Sequence, residues 1–452
     1  MPTRFHPIPG ISLPIFRREL EAQTLFYAPG YLVKVESARA AAFASSLLDS
    51  SPAGGAEAGE LRQHALSAIE RRRKDIEAEF IPYCLTLYLH NRCNLKCGYC
   101  FSAPEDAASP APPLTLDAIR AAAEIVARSC QQAGQRFTAV FHGGGEPALD
   151  PARAESALQV VEAAAAAFQL DIFRYIATNG ALSIEQAAWL ARRFDLIGLS
   201  CDGPASLQER HRPLQNGGSS TPLVERTADI VHAAGKPLHV RVTVTPDSLP
   251  ELEAVAVYIC EQLRPEEIHV EPVYQGGRAV AEACFWPDQA EEFTEAFFKA
   301  RTIAHRHGVR WLASGSRPGE VHGPYCHILR NVLQLIPGDL VTNCFKNTTA
   351  FSQPSSQIIG RFDASSRSIQ LDQKAIIRIQ GNLRAPAETC AACFNQFHCA
   401  AACPDECRGN GGILIEAGFR CRVQALMAEQ LLLETASGWK ARAEIVGGKV
   451  SI

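Results

Sequence analysis

From Pro82 onward the chain alternates short apolar runs with longer amphipathic ones, and this rhythm limits the fold more than any other feature. The runs Cys84–His90, Phe137–His142, Phe173–Ala177, Leu196–Ser200, Leu238–Thr245 and Ile268–Val273 read as strands. Between them, Leu116–Ala133, Ala152–Phe168, Ile184–Phe194, Leu223–Ala234 and Leu249–Leu263 read as helices. Repeats of about 35 residues predict a parallel sheet, either curled into a partial barrel or doubly wound. Chemistry in such sheets gathers at the carboxyl ends of the strands, so a site is expected just past each one.

Cys93, Cys97 and Cys100 lie past the first strand, in Cys-Asn-Leu-Lys-Cys-Gly-Tyr-Cys. Three thiolates on one short loop can hold three irons of a 4Fe–4S cube. The fourth iron then stays open to a small molecule. A structural zinc site wants four ligands in paired spacings, one more than this loop offers. The pattern, with the aromatic Tyr99 before the last cysteine, resembles the radical S-adenosylmethionine (radical SAM) superfamily. The resemblance implies that the open iron chelates SAM. An electron would then cleave SAM to a 5′-deoxyadenosyl radical, which takes hydrogen from the substrate.

The other strand ends fit the same resemblance. His142-Gly143-Gly144-Gly145-Glu146-Pro147 follows the second strand and is similar to the family's Gly-Gly-Glu-Pro motif. Glycines let backbone approach a ligand closely, and a carboxylate accepts from an ammonium. The resemblance implies that Gly144, Gly145 and Glu146 bind the amino group of SAM. Thr178-Asn179-Gly180 and Ser200-Cys201-Asp202-Gly203-Pro204 end the third and fourth strands and look like further SAM-contacting elements. Both are also good turns in their own right. Arg241 and Thr243 alternate with Val242 and Val244, so one face of the fifth strand is polar, and Arg241 is a candidate for the SAM carboxylate. Glu271 on the sixth strand is placed to reach SAM or substrate, or to be structural.

A second cysteine set lies near the C-terminus. Cys390, Cys393, Cys399, Cys403 and Cys421 read Cys-x2-Cys-x5-Cys-x3-Cys-x17-Cys, and Cys326 and Cys344 bracket Gly338 upstream. This looks like the SPASM extension of peptide- and protein-modifying radical SAM enzymes. The resemblance implies two auxiliary 4Fe–4S clusters, three clusters in all. Cys326, Cys344 and Cys403 would hold the first, and Cys390, Cys393, Cys399 and Cys421 the second. The first lacks its usual upstream fourth cysteine, since Ala313–Tyr325 contains none. Its iron is then open, or closed by Cys284, Cys407 or a non-cysteine residue. Cys84, Cys130, Cys201 and Cys260 read as small buried apolar residues.

Four sections follow: 1–80, an α+β cap or peptide-recognition section; 81–285, a partial (β/α)6 TIM-like radical SAM barrel; 286–433, a linker helix and SPASM domain; and 434–452, a tail. Within the first, Thr24–Glu36 reads as two strands about Pro29-Gly30, followed by helices near Ala38–Leu48 and Glu60–Glu79. The run Arg71–Lys74 reads as a solvated helix face. A formal net charge of −4 gives no basic field for nucleic acid. Met1–Phe16 lacks the apolar run of a signal peptide, and no stretch reaches membrane-spanning length. A cytoplasmic location is therefore expected, where sixteen cysteines suit metal better than disulfides.

The function expected is that of a radical SAM/SPASM maturase. It would take hydrogen from a ribosomally made precursor peptide and install a carbon–carbon, thioether or related bond. The electron would come from a low-potential donor such as flavodoxin or ferredoxin. An anaerobic sulfatase-maturating enzyme is the second reading. Those enzymes carry a general-base Asp after the cysteine equivalent to Cys344, where this chain has Phe345. A non-catalytic iron–sulfur electron carrier is the third.

Overall fold

Strand alternation in the repeat region sorts side chains into two populations. Leu85, Leu87, Phe137, Ala139, Phe141, Ile197, Leu199, Val240, Val242, Ile268 and Val270 face the helices and form the main core. Cys84, Val140 and Tyr175 belong to a second, smaller cluster on the other face. The computed structural model describes residues 5–48, 55–102, 111–279, 284–314, 317–321, 329–346, 357–384, 390, 392–399 and 418–437.

The six strands of the repeat are β5 (Cys84–Leu87), β6 (Phe137–Phe141), β7 (Ile172–Thr178), β8 (Leu196–Ser200), β9 (Leu238–Val244) and β10 (Glu267–Pro272). They pair in parallel and lie in space in their sequence order. The sheet is a partial barrel. It is extended at one edge by β11 (Arg310–Leu312), and at the other by β12 (Val332–Ile336), β13 (Leu340–Thr342), β14 (Ile358–Asp363) and β15 (Ser368–Leu371). β12 runs parallel to β5, and the three strands after it are antiparallel.

The crossover helices are α3 (Leu116–Ala133), α4 (Pro151–Ala167), α5 (Ile184–Arg193), α6 (Ala205–His211), α7 (Thr221–Ala233) and α8 (Leu252–Tyr258). Local chemistry sets their ends. Thr115 accepts from the Ala118 N–H at the start of α3, and Gly134 ends it at φ 62°. Ser183 and Gln186 form a capping box on α5. The single helix expected over Leu249–Leu263 is broken into a 3₁₀ turn, α8 and a π turn that ends at left-handed Arg264.

The N-terminal section has four strands rather than two: β1 (His6–Pro7), β2 (Phe16–Glu19), β3 (Gln23–Ala28) and β4 (Tyr31–Glu36). They form one antiparallel sheet in sequence order. Ile8, Phe26, Ala28, Val33 and Val35 pack on α1 (Ser37–Leu48) and α2 (Gly55–Glu77) through Leu47, Ala58, Leu61 and Ala65. The opposite face, with Phe16, Leu25 and Tyr27, packs on Phe394 and on Ala425, Ala428 and Leu432. The last three belong to α11 (Phe419–Ala436), which follows α9 (Ala290–Arg306) and α10 (Gln373–Arg384) in the chain. The sheet therefore covers the C-terminal cysteine segment. Glu434, expected in a peripheral tail, lies in α11 and pairs with the buried Arg301 at 2.7 Å.

Candidate active site

The first cysteine loop leaves β5 and is clamped from two sides. Lys96 N–H donates to the Pro213 carbonyl at 2.9 Å, and Gly98 N–H to that of His211 at 3.0 Å. Leu95 bridges Leu214 in the antiparallel sense. This register sets Cys97 opposite Arg212. From the other side, Arg278 N–H donates to the Cys100 carbonyl at 3.0 Å and Arg278 Nε to that of Cys97 at 2.8 Å. A Cβ on Gly277 would stand 2.3 Å from the Cys100 oxygen, so glycine is required there.

Cys97 is buried, while Cys93 and Cys100 are partly exposed. Burial pushes the Cys97 thiol up to about 11, with the Arg212 charge opposing it. Such a thiol gives up its proton at neutral pH when a metal takes its place. The Leu95 N–H at 3.4 Å and Asn179 Nδ2 at 3.5 Å both reach Cys93 Sγ. Hydrogen bonds of this kind tune a cluster sulfur.

The glycine turn after β6 lies directly against this loop. Glu146 N–H donates to the Arg92 carbonyl at 2.9 Å, and a Cβ on Gly145 would come within 2.0 Å of that oxygen. Gly144 sits at φ 86°. Glu146 is 2% exposed. Its Oε1 accepts from the Ala148 N–H at 3.0 Å and Thr178 Oγ1 at 2.8 Å, and its Oε2 from the Asn179 N–H at 2.6 Å. Burial nonetheless pushes its pKa up. A carboxylate has about four acceptor sites, so one more donor fits, and a cation is the donor that would relieve its desolvation.

Thr178 and Asn179 thus serve Glu146. The Asn179 side chain also donates to Asn94 Oδ1 at 2.9 Å, tying β7 to the cysteine loop. Ser200 and Arg241 are partners in the β8–β9 ladder, which brings two of the expected SAM contacts side by side. Arg241 is partly exposed on the face opposite the buried valines.

Tyr99 is held by two groups that spacing did not reveal. Its hydroxyl donates to the buried Asp202 and accepts from Arg212 Nη1 at 2.8 Å. Asp202 also accepts from the Thr243 N–H at 3.1 Å and lies 3.9 Å from Arg212. Arg212 Nε is buried without a hydrogen-bond partner among the described residues. An arginine in a loop 112 residues past Cys100 gives no sequence signal. Only the clamp of residues 211–214 on the cysteine loop places it here.

At the barrel mouth, Tyr88 donates to the Phe345 carbonyl at 2.8 Å. His142 stacks on Tyr88 with ring centroids 5.7 Å apart. Burial, with the Arg241 charge, pushes His142 down to about 3, so its ring is neutral. Lys346 Nζ donates to the Gln275 carbonyl at 3.0 Å. The segment after Cys344 therefore reaches the mouth. Ser314 N–H donates to Glu271 at 2.6 Å, which gives that carboxylate a structural partner.

In the C-terminal set, Cys326, Cys403 and Cys407 lie outside the described residues. Cys344 N–H donates to Thr342 Oγ1 at 3.2 Å. Cys390, Cys393 and Cys399 are partly exposed on a tightly turned segment, and Cys421 is exposed on α11. Cys399 Sγ donates to Gln424 of the same helix at 3.1 Å, which links the turn to the Cys421 element. Among the described residues no three Cys, His, Asp or Glu side chains gather around one ion position. Corner ligands of a cube bind one iron each and need no such convergence. Cys84, Cys130, Cys201 and Cys260 are buried, as expected of apolar fillers. Among the described residues no helix is long and apolar enough to cross a membrane.

The family model of the radical SAM superfamily matches residues 87–282, which carry the cysteine loop, the glycine turn and strands β6–β10. This segment is a radical SAM domain. Two serine-type anaerobic sulfatase-maturating enzymes are similar in sequence. That of Klebsiella pneumoniae is 28% identical over 42% of this chain and 47% of its own length. That of Klebsiella aerogenes is 32% identical over 31% and 34%. The chain thus matches about half or less of the length of these curated relatives. Among solved structures, anSMEcpe with bound AdoMet superposes with a TM-score of 0.64 at 16% identity, covering 80% of this chain and 96% of that one. Streptococcus suis SuiB gives 0.50 at 14%, covering 86% and 94%. The fold is that of the SPASM-bearing radical SAM enzymes.

Proposed function

We propose that the protein is a radical SAM/SPASM maturase acting on a peptide. The observation that carries this reading is the joint packing of the three-cysteine loop, the glycine turn and the β7 end around Glu146. A lone electron carrier would have no use for a buried carboxylate and a buried guanidinium beside an open cluster corner. Cys93, Cys97 and Cys100 would hold the SAM cluster. Cys344 with Cys326 and Cys403 would hold the first auxiliary cluster, and Cys390, Cys393, Cys399 and Cys421 the second. When bound, the SAM cluster and SAM together supply hydrogen-atom abstraction.

The chain's own residues bind, orient and exclude water. Glu146, steered by Thr178 and Asn179, accepts from the SAM ammonium. Gly144 and Gly145 let backbone come close. Ser200, Arg241 and Arg212 are the donors for carboxylate and ribose oxygens, and Arg212 adds a buried charge. Tyr99 is locked by Asp202 and Arg212 as a fixed aromatic wall. Tyr88, His142 and Phe345 line the mouth with rings, which keeps water from a reactive intermediate.

A peptide substrate is favoured by the solved anSMEcpe complex with AdoMet and the Cp18Cys peptide, whose fold this chain shares at a TM-score of 0.62. Sulfatase maturation is the second reading, because the curated relatives bear that name. Phe345 counts against it, since a phenyl ring cannot take the proton that a carboxylate takes. The test is to reduce the reconstituted protein with SAM and assay 5′-deoxyadenosine. The same mixture is then offered precursor peptides and a sulfatase-derived Ser or Cys peptide. Peptide crosslinking supports the first reading, and formylglycine the second. No SAM cleavage would sink both.

A further inference from the structure

Besides the Arg18–Glu429 pair, the N-terminal section meets the turn around Cys393 and Cys399 through a charged side chain on α2. Arg72 lies on α2 within a run expected to face solvent, and Arg71, Arg73 and Lys74 are indeed exposed. Arg72 turns inward instead. Its Nη1 donates to the Gln396 carbonyl at 2.6 Å, and its guanidinium lies 5.4 Å from the Phe397 ring centroid. Gln396 and Phe397 sit between Cys393 and Cys399, and the sulfurs of Cys399 and Cys390 are within electrostatic reach of the guanidinium. The turn is anchored from the same side by Tyr27, whose hydroxyl meets His398 Nε2 at 2.5 Å, and by Phe5 stacked on Phe394 at 5.2 Å.

We propose that Arg72 is a positioning residue for the second auxiliary cluster, supplied by the N-terminal section to hold a fixed positive charge beside Cys390 and Cys399. This rests on the assignment of that cluster to Cys390, Cys393, Cys399 and Cys421. A fixed cation favours the more negative, reduced cluster, so it raises the midpoint potential. The hydrogen bond to the Gln396 carbonyl and the Phe397 ring hold the guanidinium against the turn. The N-terminal section then sets how readily this cluster accepts an electron.

The experiment is an EPR-monitored redox titration of the reconstituted full chain carrying a Cys93/Cys97/Cys100 triple alanine background, which removes the SAM-cluster signal. Iron content with and without C393A first reports whether the second auxiliary cluster exists. If C393A removes no iron, the cluster assignment fails, and the Arg72 proposal fails with it. With the cluster present, R72Q should move its midpoint to more negative potential. R72K, whose charge withdraws from the carbonyl and the ring, should fall between R72Q and the parent. R73Q, on the exposed face, should leave it unchanged. An unshifted R72Q overturns the proposal while leaving the cluster assignment intact. If R72Q fails to retain the cluster, R72K decides: a lowered midpoint supports the proposal, and a parental one overturns it.

Discussion

Cys97 and Arg212 face each other across an antiparallel contact in which residues 95–98 run against residues 211–214. The pair joins the three-cysteine loop to the loop after α6, and Arg212 joins both to Tyr99 and Asp202. Removing one member of a buried ion pair strands the other, at a cost of about 3–5 kcal/mol. Arg212→Gln should therefore lower both thermal stability and SAM affinity. Arg241→Gln, on a partly exposed strand position, should lower SAM affinity with little loss of stability. Calorimetric melting and SAM titration of both variants check this. Equal SAM affinity in Arg212→Gln and the parent would remove Arg212 from the SAM site.

Glu146 is tied to Thr178 and Asn179, so its loss has two readouts. Glu146→Ala should weaken SAM binding by about 1.5–3 kcal/mol, the worth of a charge-assisted hydrogen bond. Iron content should stay at the parental value. Thr178→Val keeps the carboxylate but removes one orienting donor, and should cost about 1 kcal/mol in SAM affinity. Isothermal titration with SAM measures both.

Glu267 ties the opposite end of the barrel interior. Burial raises its pKa, but the hydrogen bond from His269 at 2.6 Å and the charges of His269, His239 and Arg310 outweigh this and hold it down to about 2. A depressed carboxylate stabilises the fold above its unfolded pKa, and that stability is lost as pH falls toward the folded value. The loss should run between about pH 4.3, the unfolded value for Glu, and about 2. Glu267→Gln should flatten this acid limb of the stability profile. An acid-unfolding curve unchanged by the substitution would count against the cluster.

Arg18 and Glu429 form a pair with side chains 9% and 7% exposed, joining β2 to α11. Breaking it should cost about 3–5 kcal/mol, whereas the double replacement Arg18→Met with Glu429→Leu should be near neutral. Urea unfolding of the singles and the double reads the coupling. If the singles cost no more than a surface pair, about 0–1 kcal/mol, the N-terminal sheet is not held by this contact.

The βα strands and most of their helices were legible because period-2 and period-3.6 patterns are local. The cysteine loop, the glycine turn and the ends of β7 and β8 were legible because short motifs carry their own chemistry. What the sequence hid was long-range. β2 reads as charged because Arg18 finds its partner 411 residues away. Arg72 reads as solvated because the carbonyl it meets belongs to Gln396. Arg212 carries no spacing signal, since its place depends on a loop folding back onto Cys97. The partners of Tyr99 were hidden for the same reason.

Iron content reads the number of clusters and the state of the first auxiliary set. Three cubes correspond to about twelve irons per chain, and the Cys93/Cys97/Cys100 triple alanine variant should lose about four. The first auxiliary set has three motif cysteines and no cysteine over Ala313–Tyr325. A thiolate-free iron is a Lewis acid able to take a substrate thiolate, amide or carboxylate. The competing ligands are Cys407 and Cys284, the latter partly buried against the main core. With the open iron, replacing Cys284 and Cys407 by alanine, singly and together, should leave iron content and peptide turnover at parental levels. Loss of about four irons in either single variant, with SAM cleavage retained, would identify that cysteine as the fourth ligand and end the open-site idea.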